Sequence, residues 1–129
     1  MNRVIVGVGS NINPAENVRR AKQLISEQHT IVKSSHFIKT KPIGFKEQDD
    51  FLNGGWLVNT SLDQKSFKKF LNFIEDKLGR KRTRNKYGPR TIDLDILIWN
   101  GSVVDDDYYE RDFLRVVVKE LDDSIDRFR

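Results

Sequence analysis

Apolar positions along this chain change period several times, and each change marks an element. Val4-Ile5-Val6-Gly7-Val8 is a β-branched run ended by Gly9-Ser10-Asn11, which predicts a first strand. Asn13-Pro14-Ala15-Glu16 has the composition of a helix start, with Asn13 as N-cap and Pro14 at the first helical position. Val18, Ala21, Leu24 and Ile25 then recur at helical spacing, so a helix covers about 14–27. Ile31, Val32, Phe37 and Ile38 predict a second strand over 30–39. Residues 51–61 predict a third, interrupted by Gly54-Gly55. Phe67, Phe70, Leu71, Ile74 and Leu78 return to helical spacing, with Asp63 to cap that helix and Gly79 to stop it. Ile92, Leu94, Ile96 and Ile98 alternate with Asp93, Asp95, Leu97 and Trp99. A strand sends alternate side chains to opposite faces, so the four aliphatics share one face and both aspartates the other.

The order strand, helix, strand, strand, helix, strand predicts an α+β fold of the ferredoxin-like βαββαβ type. The sheet is antiparallel, with helices on one face and a ligand site on the other. A length of 129 residues suits a single domain, 1–129. Beyond Trp99, Asn100-Gly101 is a tight-turn signal, and Val103-Val104 and Phe113 to Val118 are candidates for one or two further strands. Asp105-Asp106-Asp107 reads as a solvated loop, and the tail from Asp122 is polar enough to fray.

Charge alters the picture more than composition does. Hydrophobic residues make up 37% and charged residues 33%, enough for a core beneath a well-solvated surface. The absence of cysteine excludes disulfides and cysteine–zinc sites. The first apolar run is too short for a signal peptide and no stretch reaches membrane-spanning length, so a cytoplasmic protein is expected. The net charge of +4 is unevenly placed: residues 80–90 carry six cations, whereas 105–129 carry nine acids and five bases. A local basic cluster suits a small anionic ligand better than a long nucleic acid.

Carboxylates at i and i+2 of a strand lie about 7 Å apart. That gap can bracket one hard cation, or two cations about 4 Å apart of the kind used in phosphoryl transfer. An Asp-x-Asp alone is more often a solvated face, and a basic run alone is more often a solvated or nucleic-acid patch. Here Gly88-Pro89 turns the run directly into the aspartate strand, and the two together suit a polyphosphate whose charge is shared between magnesium and arginine. No Gly-x-x-x-x-Gly-Lys pattern follows the first strand, so this is not a P-loop enzyme. Phe51 and Asn53 share a strand face, which suits either a heterocycle contact or a core phenylalanine beside a strand-edge amide. His29 and His36 have no ligand-type neighbours at metal spacing and read as structural or surface groups.

Five motifs together resemble the 6-hydroxymethyl-7,8-dihydropterin pyrophosphokinases of folate biosynthesis. They are Gly9-Ser10-Asn11, Thr40-x-Pro42-x-Gly44, Phe51-Leu52-Asn53, Glu75-x-x-x-Gly79-Arg80-x-Arg82 and Gly88-Pro89-Arg90-Thr91-Ile92-Asp93-Leu94-Asp95-Ile96. The likeness runs in order from Val4 to Trp99. It implies an ATP-dependent transfer of pyrophosphate to the pterin hydroxymethyl group, with release of AMP and use of two magnesium ions. By the same resemblance Asp93 and Asp95 are the metal ligands, and Arg80, Arg82 and Arg90 handle phosphate. Asn72, Glu75, Tyr87, Ile96 and Arg111 join those arginines around the nucleotide. Thr40, Pro42, Ile43, Gly44, Phe51, Asn53 and Phe113 contact the pterin, with Phe51 and Phe113 sandwiching it.

The chain departs from that pattern after the metal strand. The family carries a Pro-His pair there, then Arg-x-Phe; here no proline or histidine follows Pro89, and Arg111-Asp112-Phe113 supplies the Arg-x-Phe. The chain also stops early, without the family's usual longer C-terminal segment. The expected partners are ATP and the hydroxymethyl-dihydropterin, with no nucleic acid and no membrane, for a monomer. The competing readings are a family member with weakened chemistry that keeps pterin or nucleotide binding, and a ferredoxin-like RNA-binding domain.

Overall fold

The computed structural model describes residues 1–42, 47–80 and 89–125. The chain runs through β1 (Asn2–Ser10), α1 (Pro14–Ser26), β2 (Thr30–Ser34), β3 (Ile38–Thr40), β4 (Phe51–Thr60) and α2 (Gln64–Lys77). It continues through β5 (Asp93–Trp99), β6 (Ser102–Val103), α3 (Asp107–Glu110) and α4 (Asp112–Leu121). The strands form one sheet in the order β2-β4-β1-β5-β6, with β3 also on β4, and every pairing is antiparallel. The α+β architecture expected from the pattern is present, with β1 at the centre between β4 and β5.

Local signals placed most element ends. The Asp63 carboxylate accepts from the Ser66 N–H at 2.7 Å and caps α2. Gly79, at φ +84°, closes that helix: its N–H donates to the Asp76 carbonyl and the Arg80 N–H to the Glu75 carbonyl, a Schellman ending. Asn13 stands at the N-cap of α1 but adopts a left-handed conformation, and its side chain makes no cap bond. The predicted second strand is broken into β2 and β3 around Ser35, whose N–H donates to the Gly55 carbonyl and whose hydroxyl accepts from the Gly55 N–H.

The two faces of the sheet carry separate cores. Val4, Val6, Val8, Trp56, Val58, Leu94 and Ile96 point towards α1 and α2 and pack with Ala21, Ile25, Phe67, Leu71 and Ile74. On the other face Ile5, Leu57 and Leu97 meet Leu114, Val117, Val118 and Leu121 of α4. Each large apolar side chain fully buried in this way stabilises the fold by about 1.5–3 kcal/mol.

Two expectations are corrected here. Residues 113–118 form part of α4 instead of a strand, so the second face is partly covered by a helix. Leu114, Val117, Val118 and Leu121 recur at three- and four-residue spacing, and that stripe outweighs the β-branched run Val116-Val117-Val118. The strict alternation of β5 also fails past Ile96. Ile5 pairs with Ile98 but Val6 pairs with Ile96, so Leu97 is the extra residue of a β-bulge. Ile98 therefore joins Leu97 under α4, and Trp99 turns to the α1–α2 side, with its ring 6.2 Å from that of Phe67.

Candidate active site

The face that α4 leaves open is a pocket at one end of β1, β4 and β5. Its floor is Gly7, Val8 and Gly9 of β1. One wall holds Thr40, Lys41, Phe51 and Asn53; another holds Arg90, Asp93, Asp95 and Leu97; the third holds Asp105, Asp107, Arg111, Phe113 and Leu114. Antiparallel register makes this convergence: Gly9 stands opposite Asn53 on one side and Asp93 on the other, and Gly7 opposite Asp95.

On the β4 side the Asn53 amide donates to the Thr40 hydroxyl, joining β3 to β4 beside Phe51. A Cβ on Gly9 would lie 2.8 Å from the Asn53 Oδ1, so glycine there is what lets the amide lie over the floor. Phe113, at the first turn of α4, brings a second ring into the same pocket as Phe51.

On the β5 side charge is concentrated. Glu75 is almost wholly buried; its carboxylate accepts from the Leu94 N–H at 2.8 Å and from Arg80 Nη1 at 2.5 Å. Arg80 Nη1 also reaches Asp93 at 3.1 Å. Burial raises the Glu75 pKa, opposed by the Leu94 N–H bond and by Arg80. Asp95 makes no ion pair with any of the described residues, and its pKa is pushed well above the usual aspartate value, by burial first and by the neighbouring Asp93 charge second. Arg90 is buried too, which lowers its pKa.

Asp93 and Asp95 fit the requirements of a magnesium site. Their donors are hard oxygens, and the strained charge on Asp95 is the kind a cation relieves. Among the described residues no group of three or more His, Asp or Glu is gathered tightly enough to hold a metal. Magnesium commonly needs only one or two carboxylates when substrate phosphates supply the remaining oxygens.

The structure thus brings Thr40, Phe51, Asn53, Arg90, Asp93, Asp95, Arg111 and Phe113 to one pocket. Arg80 and Glu75 stand beside it, linked to it through Asp93 and Leu94. Pro42 and Asn72 are half-buried and do not line it. The Ile96 side chain lies in the core on the opposite face. Ile43, Gly44, Arg82 and Tyr87 fall outside the described residues. Sequence reasoning missed Lys41, Asp105 and Asp107, and the expectation of a purely solvated Asp105–Asp107 loop is corrected. Asn100 and Gly101, at φ 49° and 86°, form the reversal that carries the chain back from β5 through β6, and so bring those acids to the pocket rim. The hairpin was readable; its destination depended on the fold. No helix among the described residues is long and apolar enough to cross a membrane.

Comparison with known proteins agrees with this geometry. The sequence model of the 7,8-dihydro-6-hydroxymethylpterin-pyrophosphokinase family matches residues 5–123. The 2-amino-4-hydroxy-6-hydroxymethyldihydropteridine pyrophosphokinase of Bacillus subtilis is 31% identical, over 98% of this chain and 81% of its own length. The enzyme of the same name from Haemophilus influenzae is 32% identical, over 90% of this chain and 79% of its own. That from Campylobacter jejuni is 36% identical, over 82% and 69%. With a pocket that joins an amide–aromatic wall to a carboxylate–guanidinium wall, and a family match over nearly its whole length, this chain belongs to the 7,8-dihydro-6-hydroxymethylpterin-pyrophosphokinases.

Proposed function

We propose that this chain transfers pyrophosphate from ATP to 6-hydroxymethyl-7,8-dihydropterin through the pocket described above, with AMP as the second product. The observation that carries the assignment of roles is the division of that single pocket into an aromatic–amide wall and a charged wall, which meet across the glycine floor of β1.

The pterin lies on the β4 side. Asn53 and Thr40 offer hydrogen-bonding groups to its edge, and Phe51 with Phe113 stack on its faces. ATP lies along β5. Asp93 and Asp95 would hold two magnesium ions, which would supply charge neutralisation to the phosphates. Arg90 and Arg111 are placed to grip the transferred group with planar guanidiniums. Arg80 holds Asp93 in place and is itself held by Glu75, so those two act chiefly by positioning. The Leu94 N–H points to Glu75 at the edge of β5 that β1 does not occupy. By the two-residue period of a strand the Ile96 N–H faces the same edge, and it can meet the nucleotide through its backbone although its side chain is in the core. In this reading residues 1–129 act as one domain, a monomer in the cytoplasm; the six strands sharing one sheet support the single domain.

Positioning and charge neutralisation account for most of phosphoryl-transfer catalysis, and this pocket supplies both without a covalent intermediate. The test is AMP release from ATP by the purified chain. It should require both hydroxymethyl-dihydropterin and magnesium. AMP formation that ignores the pterin would refute the reading.

A further inference from the structure

α3 is a single turn of four residues, too short to hold its shape by its own hydrogen bonds, so its geometry depends on what it packs against. Tyr108 is wholly buried and seats the turn in the core beneath α4. The second anchor is a guanidinium. Arg115 of α4 reaches back, and its Nη1 donates to the Tyr108 carbonyl at 2.9 Å and to the Tyr109 carbonyl at 2.7 Å. Those carbonyls end a helix that has no further turn to satisfy them, and a cation is a favourable partner there. Nη2 of the same side chain donates to the Asp112 carboxylate in the first turn of α4. Asp112 is exposed, so that ion pair adds little by itself. It does hold the planar fork so that the other nitrogen faces α3.

The residue at this joint is Arg111. It is the extended residue between the two helices, at φ −117° and ψ 110°. Its N–H donates to the Asp107 carbonyl at 2.9 Å, and its own carbonyl accepts from the Leu114 N–H at 3.0 Å. Its side chain lines the pocket. The aim of that side chain therefore follows the angle between α3 and α4, and the bonds of Arg115 span that angle. α4 itself does not depend on the brace, because Leu114, Val117, Val118 and Leu121 seat it on the sheet and carry Phe113 with it. We infer that Arg115, which does not line the pocket, is a positioning residue for the nucleotide: it fixes the α3–α4 joint so that Arg111 meets phosphate. The inference rests on the assignment of Arg111 to the nucleotide. Loss of the brace should leave Arg111 present but poorly aimed, with the pterin side of the pocket intact.

Arg115→Met keeps an apolar stem and removes the guanidinium, whereas Arg115→Lys restores a cation without the fork. Calorimetry with magnesium and α,β-methylene-ATP, and separately with a pterin analogue, reads the effect on each ligand. Arg115→Met should weaken nucleotide-analogue binding about fivefold or more and leave pterin-analogue binding within about twofold, with Arg115→Lys between Arg115→Met and wild type. The decisive comparison repeats Arg115→Met in an Arg111→Ala background. If Arg115 acts through Arg111, the double variant should bind nucleotide analogue within about twofold of Arg111→Ala alone. Amide exchange at residues 107–110 of the ligand-free protein should quicken about tenfold or more in Arg115→Met, which reports the brace without reference to any ligand. If Arg115→Met does not fold, Arg115→Lys decides by the same comparisons. Unchanged nucleotide affinity, equal losses for both ligands, or a full further loss in the Arg111→Ala background would each overturn the inference. A wild-type chain that binds no nucleotide analogue would overturn the site assignment and this inference with it, and the exchange rates would then show whether the brace alone survives.

Discussion

Gly55 of β4 stands directly opposite Gly7 of β1, and α4 descends onto the sheet at this gap. A Cβ on Gly55 would lie 2.7 Å from Val117 Cγ1 and 3.0 Å from the backbone carbonyl of Val6. The backbone cannot yield as a side chain can. Gly55→Ala should therefore destabilise the protein by about 1–3 kcal/mol, the usual cost of overpacking. Because α4 carries Phe113 and Leu114 into the pocket, its displacement should also weaken pterin binding. Denaturant unfolding and calorimetry measure the two effects, and wild-type stability in the variant would show that α4 is not so tightly seated.

Gly9 makes the same kind of contact inside the pocket. Its added Cβ would meet the Asn53 Oδ1, which belongs to the proposed pterin wall. Gly9→Ala should lower pterin-analogue affinity about tenfold or more, equivalent to about 1.4 kcal/mol, and leave ATP-analogue affinity within about twofold. Equal losses for both ligands would point to general damage instead.

Asp95 is predicted to trade stability for activity. Its raised pKa means that the folded protein holds this proton more tightly than the unfolded chain does. Stability is then lost as pH rises from the ordinary aspartate value of 3.8 through the raised folded value. Asp95→Asn should remove that loss, so the variant should melt higher than wild type at neutral pH without magnesium. Asp95→Ala should lower turnover at least about a hundredfold while staying folded, because ATP charge loses a metal ligand that arginine cannot replace. Melting curves across pH 4–8 and AMP release with magnesium check the pair. Near-normal turnover in Asp95→Ala would sink the metal assignment.

The third wall is predicted to serve both substrates. Phe113→Ala should cost pterin binding about 1 kcal/mol or more, as much as Phe51→Ala, since each removes one stacked ring. Arg111→Ala should reduce nucleotide affinity, although Asp107 lies 3.9 Å from its Nε and shares its charge. Calorimetric titration of each variant with a pterin analogue and with α,β-methylene-ATP gives the answer. Unchanged affinities in both Phe113→Ala and Arg111→Ala would exclude the segment after Asp105 from substrate binding.

Much of this architecture was legible because its signals are local. The Asp63 cap, the Gly79 stop and the Asn100-Gly101 turn each act within a few residues, so residue type alone predicts the geometry. The apolar stripe of α2 and the β-branched run of β1 are strong period signals of the same kind. The segment 113–118 was misread because consecutive valines favour a strand locally, whereas the four-residue stripe around them gains its burial only against Leu57 and Ile5.

Residue types and short spacings determined which chemistry this chain holds: paired aspartates beside clustered arginines, and an aromatic next to an amide. They also determined the element order that makes the sheet antiparallel. Only the tertiary structure decided which of those groups meet. Strand register set Gly9 between Asn53 and Asp93. The bulge at Leu97 redirected Ile98 and Trp99, the β5–β6 return brought Asp105 and Asp107 to the rim, and Asn11 found partners 37 and 79 residues away in sequence. Each of these depends on pairing between distant segments, whose free energy comes from burial and hydrogen bonds that exist only once the segments are together.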